Sequence, residues 1–171
     1  CDWYVNDIPE DNIVSLQDYI VQLEDSIELL NTYQVGSLDE GGIIFYIDST
    51  GEHGLVAAID DLFGTYQWGC WSQSIVGADG LSIGVGNQNT LDIINFGCVG
   101  NPPDSTIAAQ AVIDAQINGY SDWYLPSNDE LIEMYNNIRN GSTEDNIGGF
   151  ETDNNTYYWS SSEADDNHAW S

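Results

Sequence analysis

Apolar residues recur at heptad spacing over residues 12–31, near the start of the chain. Isoleucine and leucine alternate along one seam, and Asn12 or Asp11 stands where a helix cap is expected. The seam consists of Ile13, Leu16, Ile20, Leu23, Ile27 and Leu30. Because Val14 and Val21 widen the apolar stripe, the helix could pack on its own domain or join a bundle of more than two chains. We favour self-association, with the seam as the contact.

The pattern then changes to alternating and continuous apolar runs, which are typical of β-strands. Residues 41–48 and 55–60 flank a glycine-containing turn at 49–54 and predict a β-hairpin. The glycine-rich segment 61–88 has no sustained period, so we expect a long ordered loop there.

Two helices are predicted after this loop, at residues 89–96 and 105–117, because their apolar residues are spaced by three and four. Nearer the end of the chain, the acidic, glycine-rich segment 140–156 predicts a loop. The aromatic segment 157–163 predicts a strand.

The stretch GYSDWYLPSNDELIEMYNN, residues 119–137, predicts a short strand over residues 122–125 and then a helix. Ser127 and Glu130 match the S-x-x-E capping box that starts a helix. The helix face expected to be buried consists of Leu131, Met134, Tyr135 and Ile138. This stretch carries no nucleophile or metal-ligand cluster, so we interpret it as framework.

Acidic residues dominate the charge of this chain of 171 residues: 29 Asp and Glu stand against one basic residue, Arg139, for a formal net charge of −28. Nucleic acids and anionic membranes are excluded as partners, because binding to either depends on Lys and Arg. Cation binding and simple solubility at high salt both remain open as roles for the acidic surface. No apolar run is long enough to predict a transmembrane segment.

The cysteines are Cys1, Cys70 and Cys98; they form no CxxC motif and lie far from both histidines, which argues against zinc. Cys70 and Cys98 could form a disulfide if the chain is exported. Cys1 would then be left over. It fits the lipid-anchored cysteine of a bacterial surface lipoprotein, and the alternatives are an artificial chain end or another disulfide.

Several segments, in this order, resemble the C-terminal domain of the Lcl collagen-like adhesins, a bacterial and phage family related to C-type-lectin-like folds. They are GGIIFYIDSTGEHGLVAA, WGCW, ADGLSIGVGNQNTLDII, FGC, GYSDWYLPSNDELIEMYNN and YYWSSSE with NHAW. The resemblance covers residues 35–171 and implies an α+β, C-type-lectin-like domain behind a stalk helix at residues 1–34. It also implies a disulfide between Cys70 and Cys98, since both lie in loops of an exported domain.

The functional implication of the resemblance is an extracellular or cell-surface adhesin, or a receptor-binding fibre tip on a phage virion. Such domains are usually oligomeric, which together with the wide apolar stripe favours a parallel homotrimer. Members of the family continue past AW with further strands, so this chain is expected to lack its last strands. Some members bind sulfated polysaccharides, but such ligands are not expected for this chain, because it has no basic surface. The calcium-dependent sugar motifs of true C-type lectins do not occur in it either.

Aromatic side chains in the loops are the candidate ligand contacts, since their faces stack on sugars or on other surface ligands. They are Trp68, Trp71, Tyr157, Tyr158 and Trp170, and the alternative for each is core packing. Trp123 and Trp159 are expected in the core. The alternative function is a structural subunit of an extracellular assembly without a ligand. No reactive cysteine pair or distinct carboxylate pair favours an enzyme.

The acidic segments 142–155 and 161–167 combine carboxylates and amides with glycines, as calcium loops do. The candidate ligands are Asp145, Asp153, Asn155, Glu163, Asp165 and Asp166. Their spacing matches no EF-hand, and a solvated acidic rim is the alternative. Calcium is therefore the one cofactor that the sequence suggests.

Overall fold

The computed structural model describes residues 16–24, 33–102, 105–139, 146–151, 157–166 and 168–171. The chain divides into two units, Cys1–Tyr33 and Gln34–Ser171. In the first unit, residues 16–24 form a helix (α1) whose described side chains are all exposed. The rest of the predicted stalk seam, Ile13, Ile27 and Leu30, lies outside the described residues, as does Cys1. Among the helices described, none is both long and apolar enough to cross a membrane.

An antiparallel sheet with strand order β1-β2-β3 begins the second unit and confirms the predicted hairpin. Its strands are β1 (Leu38–Asp39), β2 (Gly42–Ile47) and β3 (Gly54–Ala58). The Asp48 carboxylate closes the turn by accepting hydrogen bonds from Thr50 N at 3.0 Å and Gly51 N at 3.0 Å. One face of the sheet enters a core cluster of Ile43, Phe45, Ala57, Ile138 and Phe150.

Three helices follow: α2 (Gly86–Phe96), α3 (Ala108–Ile113) and α4 (Asn128–Met134). Helix α2 ends at Gly97, which adopts φ 84°, a left-handed conformation that glycine adopts without steric cost. Helix α3 ends before the predicted residue 117, because the Ala115 amide bonds to Val112 O and tightens the last turn, and it begins at Ala108, because Ile107 is extended. A second core cluster, which includes Ile75, Ala78, Ile93, Ile107 and Ala109, packs beside the Cys70–Cys98 disulfide.

Two predicted strands are wrong. Residues 122–125 are not a strand, because their backbone bonds elsewhere: Leu125 N donates to Thr90 Oγ1 at 3.1 Å. Of residues 157–163 only Glu163 enters a strand, since Ser161 N donates to Pro126 O at 2.7 Å instead of joining a ladder. The strands β4 (Glu163–Asp165) and β5 (His168–Ala169) form a separate antiparallel pair.

Helix α4 continues as a π-helical turn, Tyr135–Arg139, which changes the phase of its buried face. Ile138 is buried as predicted, whereas Tyr135 is 41% exposed and carries the Arg139 guanidinium 4.7 Å above its ring. The second unit is thus a mixture of short helices and small antiparallel sheets, as expected for an α+β domain.

Candidate binding cleft

The predicted capping box is present and is part of a larger junction. Ser127 N donates to Glu130 Oε2 at 2.7 Å, and Gly84 N donates to Glu130 Oε1 at 2.7 Å, so the fully buried carboxylate joins α4 to the loop before α2. Gly86 begins α2 against the same group, where a Cβ atom would overlap Glu130 Oε2. These contacts fix the position of the segment that leads into α4.

Glu163 is a second carboxylate buried by the fold. It accepts hydrogen bonds from Ile75 N at 2.9 Å and Ser74 Oγ at 3.2 Å, while its own amide donates to Ala78 O at 2.7 Å. The side chain therefore holds the 74–78 loop against β4. It is therefore not part of a solvated acidic rim, which was the alternative to a calcium site.

The other proposed calcium ligands are not gathered into a described site. Asp165 and Asp166 are exposed, and Asp165 Oδ1 lies 2.7 Å from His168 Nδ1. Asp145, Asp153 and Asn155 lie outside the described residues. Within the ranges that the structure describes, no group of three or more His, Cys, Asp or Glu is arranged to hold a metal ion.

A cleft of about 710 Å³ opens between β3, α3, α4 and the segments that connect them. Its aromatic lining consists of Phe45, Tyr66, Tyr120, Trp123, Tyr124, Phe150, Tyr157, Tyr158 and Trp159. Its acidic lining consists of Glu40, Asp60, Asp61, Asp122 and Glu130. No Lys, Arg or His is among the described residues that line it. Its volume is within the usual range for small-molecule sites.

Two tryptophans in the cleft are held by backbone carbonyls of neighbouring loops. The Trp159 indole N–H donates to Tyr66 O at 2.9 Å, and the Trp123 indole N–H donates to Tyr120 O at 3.2 Å. Both rings are half-buried. Because their indole groups are fixed, the rings offer preformed apolar faces to a ligand.

Tyr158 joins the aromatic lining to the acidic lining. Its hydroxyl donates to Asp61 Oδ2 at 2.9 Å and accepts from Glu151 N at 2.8 Å, and its ring meets Phe150 edge-on with centroids 5.0 Å apart. Burial raises the pKa of the Tyr158 phenol, and the adjoining Asp61 carboxylate acts in the same direction. The hydroxyl therefore stays protonated.

Tyr124 lies deeper in the lining. Burial, followed by the charge of Glu130, raises the pKa of its phenol to about 12. The cleft thus presents phenols beside carboxylates, a combination that offers both hydrogen-bond donors and hydrogen-bond acceptors to a ligand.

The structure brings two of the five sequence-predicted ligand contacts into the cleft. Tyr157, which is 72% exposed, and Tyr158 both line it. Trp68 packs against the disulfide-side core and donates its indole N–H to Ser160 O at 2.8 Å. Trp71 is 73% exposed and Trp170 is 47% exposed, but neither lines the cleft.

Sequence reasoning placed Trp123 and Trp159 in the core and missed their faces in the cleft. It also missed Tyr66, Tyr120 and Asp61. The available signal was the concentration of aromatics in segments without periodicity, such as GYSDWY, where no helix or strand face is present to bury them.

The chain was compared with known protein families, curated proteins and solved structures, and none of them matches it. Its function is therefore argued from the cleft itself.

Proposed function

We propose that the second unit is an extracellular binding module, of the C-type-lectin-like kind, that recognises a surface glycan. The observation that carries the proposal is the cleft, in which aromatic faces and carboxylates share one cavity of about 710 Å³. Aromatic rings stack on the C–H faces of sugars, and carboxylates accept hydrogen bonds from sugar hydroxyls. A single sugar ring and its neighbours fit a site of this size.

The charge of the cleft restricts the glycan. Its described lining holds Asp60, Asp61 and Asp122 and no basic residue, so sulfated or carboxylated sugars would enter without a counter-charge. Neutral and cationic sugars remain as candidate ligands. This agrees with the absence of a basic surface on a chain of net charge −28.

The proposed location is the outside of a bacterial cell or a phage virion. The Cys70–Cys98 disulfide supports export, because disulfides persist in oxidising compartments. A lipid on Cys1 would hold such a domain at the cell surface.

The proposed role of the N-terminal helix is to join copies of the chain as a homotrimer. Apolar side chains of the seam are exposed in α1, where Leu16 is 60%, Ile20 51% and Leu23 44% accessible. Burying these groups against the same helix of other chains would remove them from water. If no glycan binds, the same helix supports the alternative of a structural subunit in an extracellular assembly.

The glycan proposal is tested by two single variants on an array of neutral, aminated and sulfated oligosaccharides. Tyr157→Ala should weaken binding roughly tenfold, because it removes an exposed ring from the cleft. Trp71→Ala is the matched control, since Trp71 is 73% exposed against 72% for Tyr157 but lies outside the cleft. Loss of binding in Trp71→Ala alone, or no array signal from the parent protein, would contradict the proposal.

A further inference from the structure

We infer that the cleft selects oligosaccharides that carry protonated amino groups, such as hexosamines without their N-acetyl groups. The inference rests on the proposed function, because it names the ligand class of the same site. The cavity and its aromatic faces form the binding site. Its carboxylates determine which ligand charge is favoured there.

Three acidic side chains carry the charge argument. Asp60 and Asp122 line the cleft from two different loops and are exposed, so both are accessible to a ligand. Asp61 lies beside Asp60 and is bonded through Oδ2 to the Tyr158 hydroxyl. An ammonium group at this position gains charge-assisted hydrogen bonds that a neutral acetamide cannot make.

The aromatic lining also favours a cationic ligand. A cation over the face of a tryptophan or tyrosine is attracted by the electrons of the ring. Trp123 and Trp159 are half-buried with fixed indoles, whereas Tyr120 and Tyr157 are 40% and 72% exposed. An amino sugar can therefore stack its ring on one aromatic face and direct its ammonium group to another or to a carboxylate.

A bare metal ion fits this site less well than an organic cation. The described carboxylates of the cleft are not grouped with other acidic, His or Cys side chains in a metal-binding arrangement. Large apolar faces also give nothing to a hydrated metal ion, while they contact the carbon skeleton of a sugar.

Calorimetry with the full chain tests the inference with two probes of equal length, the glucosamine tetramer and the N-acetylglucosamine tetramer. Titrations are run at mildly acidic pH, where the amines are protonated, and at physiological salt, where general attraction is screened. The glucosamine tetramer should bind more tightly, by roughly tenfold. Asp122→Asn and Asp60→Asn should each weaken its binding about fivefold and weaken binding of the acetylated tetramer by a smaller factor, since only the ammonium group loses a charged partner.

Asp79→Asn is the matched control, because Asp79 is also exposed but lies outside the cleft. An equal loss in this variant would mean general attraction to a chain of charge −28 and would overturn the inference. Equal or tighter binding of the acetylated tetramer would overturn it too, while the proposed glycan function would stand. A lysine tetramer that bound as tightly as the glucosamine tetramer would also overturn it, since the sugar ring would then contribute nothing.

Discussion

At the scale of single residues, buried carboxylates connect loops that have little regular structure. Glu130 is fully buried and accepts from the amides of Ser127 and Gly84, each at 2.7 Å. The sequence predicted the bond within the capping box, because Ser127 and Glu130 are three residues apart. It could not predict the bond to Gly84, since that contact joins segments 46 residues apart.

Replacing Glu130 should therefore cost more than replacing a helix cap alone. Glu130→Ala leaves the buried Ser127 amide and the part-buried Gly84 amide without an acceptor and is expected to lower the free energy of unfolding by about 3 kcal/mol. Glu130→Gln keeps one acceptor oxygen and should cost less. Urea unfolding measures both, with the exposed Asp79→Ala as a control expected within about 0.5 kcal/mol of the parent protein. A Glu130→Ala variant as stable as that control would show that the junction contributes little.

Tyr124 gives the fold a dependence on alkaline pH. Burial raises the pKa of its phenol from the ordinary 10.0 to about 12, so the folded chain holds this proton more tightly than the unfolded chain. The contribution is fully present below pH 10.0 and is lost as pH rises through about 12. A rise in pKa from 10.0 to about 12 corresponds to about 3 kcal/mol, and because Tyr124 is only half-buried, solvent screening should reduce the loss to about 2 kcal/mol.

Tyr124→Phe should remove this part of the loss, which urea unfolding at a series of alkaline pH values can measure. The pKa of the Tyr158 phenol is also raised, so part of the dependence of stability on pH should remain in the variant. Tyr157→Phe, which changes an exposed hydroxyl, is the control. A Tyr124→Phe variant that loses as much stability with rising pH as the parent protein would contradict the attribution of this loss to Tyr124.

At the scale of elements, the sequence predicted those whose signals are local. The hairpin has period-two strands and a turn closed by Asp48, and helix α4 has its capping box within four residues. The segments at 122–125 and 157–162 have the aromatic composition of strands, but their amides bond to Thr90, Pro126 and Trp170. Thr90 and Pro126 each lie 35 residues from the residue that bonds to them, so composition alone predicted the wrong element.

The N-terminal helix makes a prediction at the same scale. Sedimentation equilibrium at micromolar concentration should give a trimer, because the apolar seam of α1 is exposed in a single chain. Leu16→Asp combined with Leu23→Asp should yield monomers, since two charges would enter the seam. The pair Asp18→Ser and Glu24→Ser, at other exposed positions of α1, is the control and should stay trimeric. A monomeric parent protein would remove the coiled-coil interpretation.

At the scale of the whole molecule, charge and cavity act together. A net charge of −28 attracts any cation at low salt, whereas the cleft combines carboxylates with aromatic faces. Composition predicted the general attraction and excluded anionic partners. It could not locate the cleft, because β2, β3, α3, α4 and several connecting segments contribute to it from distant parts of the chain.

The most direct test of the cleft as a glycan site is the NMR spectrum of the tryptophan indoles during titration with the oligosaccharide that gives the strongest array signal. The indole N–H groups of Trp123 and Trp159 are bonded to Tyr120 O and Tyr66 O at the cleft, whereas that of Trp68 is bonded to Ser160 O in the core. Saturating ligand should shift the Trp123 and Trp159 signals and leave the Trp68 signal in place. Shifts confined to Trp68, Trp71 and Trp170, with Trp123 and Trp159 unchanged, would place the ligand elsewhere and contradict the account.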